Sequence, residues 1–237
     1  MSGFPPEELA APCGRKSLRR PPLEIPDTLA FPIDHFFVPR HYEDSIDYLM
    51  LTHGTIVDRV EKLAYDILKD YHGLTIHMCV VLKGASTFFE DLHNAIRRLH
   101  ECNRYSYIPY VIEFVRVKSY EGMSSTGSVE ITGCDLNKLK GKHVLFVEDI
   151  IDTGLTMTKL FAYMQDHVQP ASVRVTSLLE KRTSASCGFK GDYVGFSVPD
   201  KFVIGYCLDY NEAFRDLSHI CVINKHGIEK YSDYDKK

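Results

Sequence analysis

Residues 144–156 read Val144-Leu145-Phe146-Val147-Glu148-Asp149-Ile150-Ile151-Asp152-Thr153-Gly154-Leu155-Thr156. The apolar run over 143–147 predicts a buried strand, which delivers two adjacent carboxylates at its carboxyl end. A tight Asp-Thr-Gly-x-Thr turn then opens a helix. Free backbone N–H groups at a helix start, with the positive end of the helix dipole, form a phosphate site. Gly154 lets the backbone approach a phosphate closely, and the two threonine hydroxyls add donors. Carboxylates beside a phosphate cradle would repel the ligand unless they bind hydroxyls or a metal ion. A ribose supplies the hydroxyls, and Mg²⁺ neutralises the rest. The chain has neither the G-x-x-x-x-G-K-[ST] of a P-loop nor the G-x-G-x-x-G of a dinucleotide fold.

Outward from this stretch, helical and strand patterns alternate. Ile56, Val60, Leu63, Ile67 and Leu68 recur at helical spacing until Gly73. Residues 76–82 form a short apolar run that predicts a buried strand. Thr87 followed by Glu90 predicts a capping box and a helix through Leu92, Ile96 and Leu99. A second strand is expected over 110–117. Residues 119–133 are rich in Ser, Thr and Gly and predict a long loop with one short strand inside. Downstream of the acidic stretch a helix runs from about Thr156 and ends before Pro170. A fourth strand covers 173–179, and shorter ones are expected near 193–196, 202–205 and 221–223. Near-continuous apolar strands separated by helices imply a mostly parallel sheet flanked by helices. In such folds the ligand crevice lies beyond the carboxyl ends of the strands.

The 237 residues favour one domain, or one plus an appendage. Eight of the eleven prolines lie within residues 1–39. Residues 1–30 are therefore read as a proline-rich irregular arm, and 31–237 as a single domain. The formal net charge of -4 argues against a general nucleic-acid binder. The seven cysteines show no C-x-x-C spacing, so neither a disulfide framework nor a zinc site is expected and a reducing, cytoplasmic setting is. No apolar run reaches the length of a membrane span, and no secretory leader is read at the N-terminus.

The acidic stretch resembles the phosphoribosyl pyrophosphate motif of type I phosphoribosyltransferases. The chain from about residue 31 to 230 is similar to the eukaryotic hypoxanthine-guanine branch of that family. The similarity rests on Leu82-Lys83-Gly84, Lys118-Ser119-Tyr120, the acidic stretch, Leu178-Leu179-Glu180-Lys181-Arg182-Thr183, and Pro199-Asp200-Lys201-Phe202-Val203-Ile204-Gly205-Tyr206. Leu208-Asp209-Tyr210-Asn211-Glu212 and Phe214-Arg215-Asp216-Leu217 complete it. The resemblance implies a small hood, built from both chain ends, over the parallel sheet, with Lys181 to Phe202 and beyond carried in the hood over the base. It also implies purine salvage, in which phosphoribosyl passes from phosphoribosyl pyrophosphate to hypoxanthine or guanine.

Residue by residue, the resemblance assigns Glu148 and Asp149 to the ribose hydroxyls and Asp152 to N7 of the purine. The N–H groups of Thr153, Gly154, Leu155 and Thr156 would hold the 5′-phosphate. Lys83 and Gly84 would give backbone donors to pyrophosphate across a cis peptide at Leu82-Lys83, and Arg215 would contact it as well. Lys181 would donate to O6, Phe202 would stack on the ring, and the backbone of Val203 and Asp209 would read the base edge. Glu148, Asp149 and Asp209 would serve a Mg²⁺. Ser119 and Tyr120 would begin a loop, through residue 132, that closes over the site. A homodimer or homotetramer is implied, with no membrane partner.

Three positions depart from the family pattern. Ala85 stands where members commonly carry a second glycine, and a positive φ there would strain it. Leu155 replaces a frequent lysine, and Ala185 a frequent arginine. Two rival readings fit the sequence less well. A phosphoribosyl-pyrophosphate-sensing regulator of nucleic acid would need a basic surface or an added DNA-binding domain. An enzyme for adenine, orotate or uracil conflicts with Lys181, because O6 needs a donor and a 6-amino group does not.

Overall fold

The computed structural model describes residues 19–102, 107–119 and 129–234. Two short strands come first, β1 (Leu23–Glu24) and β2 (Ile46–Leu51). Thr52 Oγ1 accepts from the Thr55 N–H at 3.2 Å and caps α1 (His53–Asp70). The apolar positions of α1 picked out by their spacing are all buried. Next come β3 (Ile76–Val81), α2 (Ser86–Glu101), β4 (Tyr110–Ser119) and β5 (Val129–Thr132). The acidic stretch occupies β6 (His143–Ile151) and opens α3 (Leu155–Tyr163). A π-helical turn at Met164–Val168 and Gln169, at φ +56°, end that helix just before Pro170. The rest is β7 (Ser172–Arg182), β8 (Tyr193–Pro199), β9 (Val203–Ile204), β10 (Ile220–Ile223) and α4 (Lys225–Lys230).

Seven strands form the main sheet in the order β1-β8-β7-β6-β3-β4-β5, with every neighbouring pair parallel except β4 with β5. Side chains alternate between two buried faces. Met78, Val80, Leu145 and Val147 pack with α1 and α2, while Cys79, Val81, Val144 and Phe146 pack with α3. Dry packing on both faces is why these strands read as unbroken apolar runs. The second sheet, β2-β10-β9, is antiparallel and forms the hood, with its own cluster around Leu49, Ile204, Phe214, Cys221 and Tyr231.

The chain leaves β3 toward β4 on one side and leaves β6 toward β7 on the other. Because β3 and β6 are neighbours, the crevice between their carboxyl ends is a topological switch point, where ligands of open α/β sheets bind.

Several expectations need correction. The strand carrying the acidic pair runs on past residue 147 to Ile151, so Glu148 and Asp149 lie within it rather than just after it. Likewise β7 extends to Arg182 and takes in Lys181, which therefore belongs to the core sheet and not to the hood. The α2 N-cap is Ala85, without a side-chain cap; Thr87 and Glu90 form no capping box. Ala85 sits at φ −73°, so the anticipated strain is absent. Strand β2 was not anticipated. Within the segment read as an irregular arm, β1 pairs with β8 at the sheet edge and Ile25 is buried. Of the serine-rich loop, residues 129–132 form β5, while 120–128, and with them Tyr120 and the expected cover, lie outside the described residues.

Phe196 is fully buried at the centre of β8. Phe196→Ala should cost about 3–5 kcal/mol in urea unfolding. A loss under about 1 kcal/mol would mean that β8 does not anchor this cluster.

Candidate active site

The crevice at the switch point has a volume of about 300 Å³. Its walls come from the end of β3 with Gly84, from Glu148 to Asp152 along β6 and just beyond, and from Thr153, Gly154 and Thr156 at the start of α3. The Leu82–Lys83 peptide is cis, as the resemblance implied. A Cβ on Gly84 would lie 1.6 Å from Asp149 Oδ2, so the carboxylate occupies the space a side chain would need. Gly154 is left-handed at φ +82°, and a Cβ there would meet Phe189 Cβ at 2.8 Å. Gly154 is also the N-cap of α3 and brings no side chain to its first N–H groups, of which that of Leu155 donates to Thr153 Oγ1 at 3.4 Å; such a helix start suits an anion.

The two acids are electrostatically costly. Glu148 Oε2 is buried without a hydrogen-bond partner. Burial and the adjacent Asp149 carboxylate push the Glu148 carboxyl well above the ordinary range. Burial also raises Asp149, against the pull of Glu148, the Ile150 N–H at 2.8 Å and the Arg215 charge. Among the described residues no group of three or more His, Cys, Asp or Glu side chains could hold a metal ion by itself. An orphaned buried carboxylate oxygen beside a second carboxylate does fit a hard cation that takes its remaining ligands from substrate.

At the far end of the crevice Lys181 Nζ donates to Asp152 Oδ2 at 2.7 Å. The Lys181 side chain is only 10% exposed, whereas that of Asp152 is 52% exposed. The residue assigned to O6 and the residue assigned to N7 are thus held together as a pair.

Above the β3 end lies a second cluster. Arg215 pairs with Asp209 at 2.8 Å and Glu212 at 3.2 Å, and donates to Cys207 O at 2.7 Å. Lys83 Nζ donates to the same Glu212 carboxylate at 2.8 Å. The supporting loop is conformationally costly: Tyr206, Cys207, Asn211, Glu212 and Phe214 all have positive φ. Each such residue costs roughly 1–3 kcal/mol and persists only where its surroundings fix it. Here the Tyr206 hydroxyl donates to Asp91 and its N–H to Leu217 O.

Gly84, Glu148, Asp149, Asp152, Thr153, Gly154 and Thr156 therefore share one crevice, which Lys181 joins through Asp152. Lys83, Asp209 and Arg215 form the adjacent cluster, linked to the crevice by the Arg215 charge on Asp149. Phe202 is half exposed in the hood, edge-on to Tyr210 at 5.5 Å, and Val203 is buried in β9. Leu155 is 45% exposed and does not line the crevice. Ser119 closes β4. Glu212 was not anticipated as a site residue, and an acidic side chain in a loop carries no local signal of its distant cationic partners.

Residues 49–211 match the family profile of the phosphoribosyl transferase domain. Hypoxanthine-guanine phosphoribosyltransferase of Canis lupus familiaris is 48% identical over 86% of this chain and 94% of its own length, and that of Homo sapiens is 47% identical over the same shares. The crystal structure of the Schistosoma mansoni hypoxanthine-guanine phosphoribosyltransferase in complex with IMP is similar too. It has a TM-score of 0.75 and 38% identity, over 89% of this chain and 99% of that one. The fold and the crevice are those of a phosphoribosyltransferase. Within that class, the chain belongs to the hypoxanthine-guanine phosphoribosyltransferase family.

The raised Glu148 carboxyl predicts a stability effect. A folded-state value above the unfolded one means that the native state binds the proton more tightly. Stability is therefore full below about pH 4.3 and declines as pH rises through the folded value. Glu148→Gln removes this cost and should raise the Tm of the ligand-free protein at pH 8, by about 2–4 °C for each kcal/mol recovered. The difference should vanish near pH 4. A lower Tm at pH 8 would show that Glu148 is favourably solvated.

Proposed function

We propose that the crevice joins hypoxanthine or guanine to the ribose of 5-phospho-α-D-ribosyl 1-pyrophosphate, giving IMP or GMP and pyrophosphate. The observation that carries this reading is the Lys181–Asp152 pair at the end of the crevice that holds the two acids and the helix start. It offers an ammonium donor and a carboxylate acceptor side by side, which matches O6 and N7 of a 6-oxopurine. The names of the relatives, and the IMP in the Schistosoma mansoni complex, support the same substrate class.

In this reading Glu148 and Asp149 accept hydrogen bonds from the ribose 2′- and 3′-hydroxyls. The N–H groups of residues 153–156 hold the 5′-phosphate. Pyrophosphate lies against Ser119, the backbone of Lys83 and Gly84, and Arg215. Phe202 stacks on the purine, whose edge meets the backbone of Val203 and Asp209. As N9 bonds to the anomeric carbon, the bond to pyrophosphate breaks and the ribose gains oxocarbenium character. Asp152 takes up the proton at N7, a contribution of roughly 10²–10⁴-fold for a positioned base. The chain otherwise acts by positioning and charge complementarity rather than through a covalent nucleophile. Glu148, Asp149 and Asp209, together with substrate oxygens, would hold a Mg²⁺, which would supply positive charge against the pyrophosphate.

The reading includes a homodimer or homotetramer, for which exposed Phe37 and Phe114 offer aromatic surface. It also includes a cytoplasmic setting, which suits the six free cysteines among the described residues. No described helix is long and apolar enough to cross a membrane.

Pyrophosphate release with hypoxanthine, guanine, xanthine, adenine and uracil in turn tests the substrate class. Lys181→Gln should lower the ratio of kcat/KM for hypoxanthine over adenine, because a site built around a substrate oxygen rejects analogues that leave its polar groups unpaired. An unmoved ratio would remove Lys181 from base recognition. Asp149→Ala should raise KM for phosphoribosyl pyrophosphate by about 10- to 150-fold, the worth of one charged hydrogen bond. An unchanged KM would take the acidic pair out of the ribose site.

A further inference from the structure

The tip of β7 overhangs the main sheet. Its last partner on β6 is Ile151, opposite Glu180, and β6 ends there. Lys181 and Arg182 keep only β8 beside them, opposite Val198 and Pro199. A side chain that must meet one base atom needs firmer support than a half-paired strand end, because misplacement by about 1 Å can cost 10²-fold in rate.

That support comes from residues 19–27, along the outer edge of β8. Arg19 grips the Glu180 carboxylate with both terminal nitrogens, at 2.9 and 3.0 Å. On the other side of Lys181, Arg182 donates to Ile25 O at 2.7 Å and pairs with Asp27. The Arg182 guanidinium also donates to Ser197 O at 2.8 Å, the carbonyl that receives the Ile25 N–H at 2.9 Å. Both chain neighbours of Lys181 are therefore tied to a single segment, while Lys181 itself holds Asp152. The joint is firm, since the Glu180 side chain is 5% exposed and bidentate arginine–carboxylate contact fixes orientation as well as distance. Burial raises the Glu180 carboxyl, but Arg19 and Lys190 outweigh it and keep the group ionised.

We propose that residues 19–27 brace the end of β7, and that Arg19 and Asp27 are positioning residues that set how accurately the Lys181 ammonium meets the oxygen of the purine base. The inference rests on the assignment of Lys181 to the base, and it makes a segment outside the crevice a determinant of base selectivity.

The test is steady-state kinetics of the full chain carrying Arg19→Gln and Asp27→Asn. KM for hypoxanthine should rise about 3- to 10-fold, the scale on which a positioning ion-pair network acts. The preference for hypoxanthine over adenine should fall, and KM for phosphoribosyl pyrophosphate should stay unchanged. Arg19→Lys, which keeps the charge but loses the fork, should restore part of the base KM. Asp27→Asn alone, at an exposed position, should shift the base KM in the same direction and serves if the double variant does not fold. Arg98→Gln, which breaks an exposed pair with Glu61 elsewhere, should change nothing. Equal changes in both substrates' KM would mean general loosening and overturn the brace. Unchanged base kinetics, with Lys181→Gln still altering selectivity, would overturn the brace and leave the base assignment standing. If Lys181→Gln is itself without effect, the assignment fails and the brace with it.

Discussion

Glu148 Oε2 is buried without a partner, next to a second carboxylate, at the end of a strand that is dry on both faces. That cost constrains much of the surrounding structure. The β3 turn must carry glycine at position 84, because Asp149 fills the volume of its Cβ. The helix start opposite must offer donors, and Gly154 at the N-cap brings no side-chain acceptor of its own. Arg215 in the hood loop must place positive charge toward Asp149 from above. A site whose two carboxyls are this costly to ionise is poised for a ligand that brings hydroxyl donors and a cation together. A folded chain tolerates it because the parallel sheet beneath is closely packed and cannot relax around it.

The ligand-free site meets its remaining electrostatic needs internally. Asp152 neutralises Lys181, while Glu212 and Asp209 neutralise Lys83 and Arg215. The Lys181 and Arg215 side chains, both assigned to substrate, are thus already paired with carboxylates of the chain. The side chains are preorganised without being left as bare buried charges, which would be far more costly. In the proposed reading, substrate oxygens would replace these carboxylates as acceptors. The left-handed residues at 206, 207, 211, 212 and 214 fit the same pattern, since a loop must fold back sharply to bring Glu212 and Arg215 to one point.

The parts of this structure legible in the sequence are those whose signal is local. The strand–turn–helix of residues 144–156 shows its chemistry within thirteen positions, and α1 shows its buried face by spacing alone. Strand limits were read short because charge marks solvent in an ordinary strand, and Glu148, Asp149, Lys181 and Arg182 all continue theirs. The charges of Lys181 and Arg182 are met by partners distant in sequence, Asp152 and Asp27. Strand β1, two residues long and flanked by prolines, is too short to show any period. Proline is compatible with it only because it lies at the sheet edge.

The edge position also bears on the shape of the whole molecule. A parallel sheet ending at β8 would expose a row of unpaired N–H and C=O groups, and it would leave the overhanging end of β7 supported on one side. A two-residue strand cannot cover that edge by hydrogen bonds alone. The flanking Arg19, Arg20 and Asp27 extend its hold by ion pairs to Glu180, to Asp66 and Asp70, and to Arg182. Those anchors fall on two different elements, α1 and β7, so the segment joins the helical layer to the strand that carries Lys181. In this way an N-terminal stretch with almost no regular structure is bonded, through its charges, to the elements that shape the base end of the crevice.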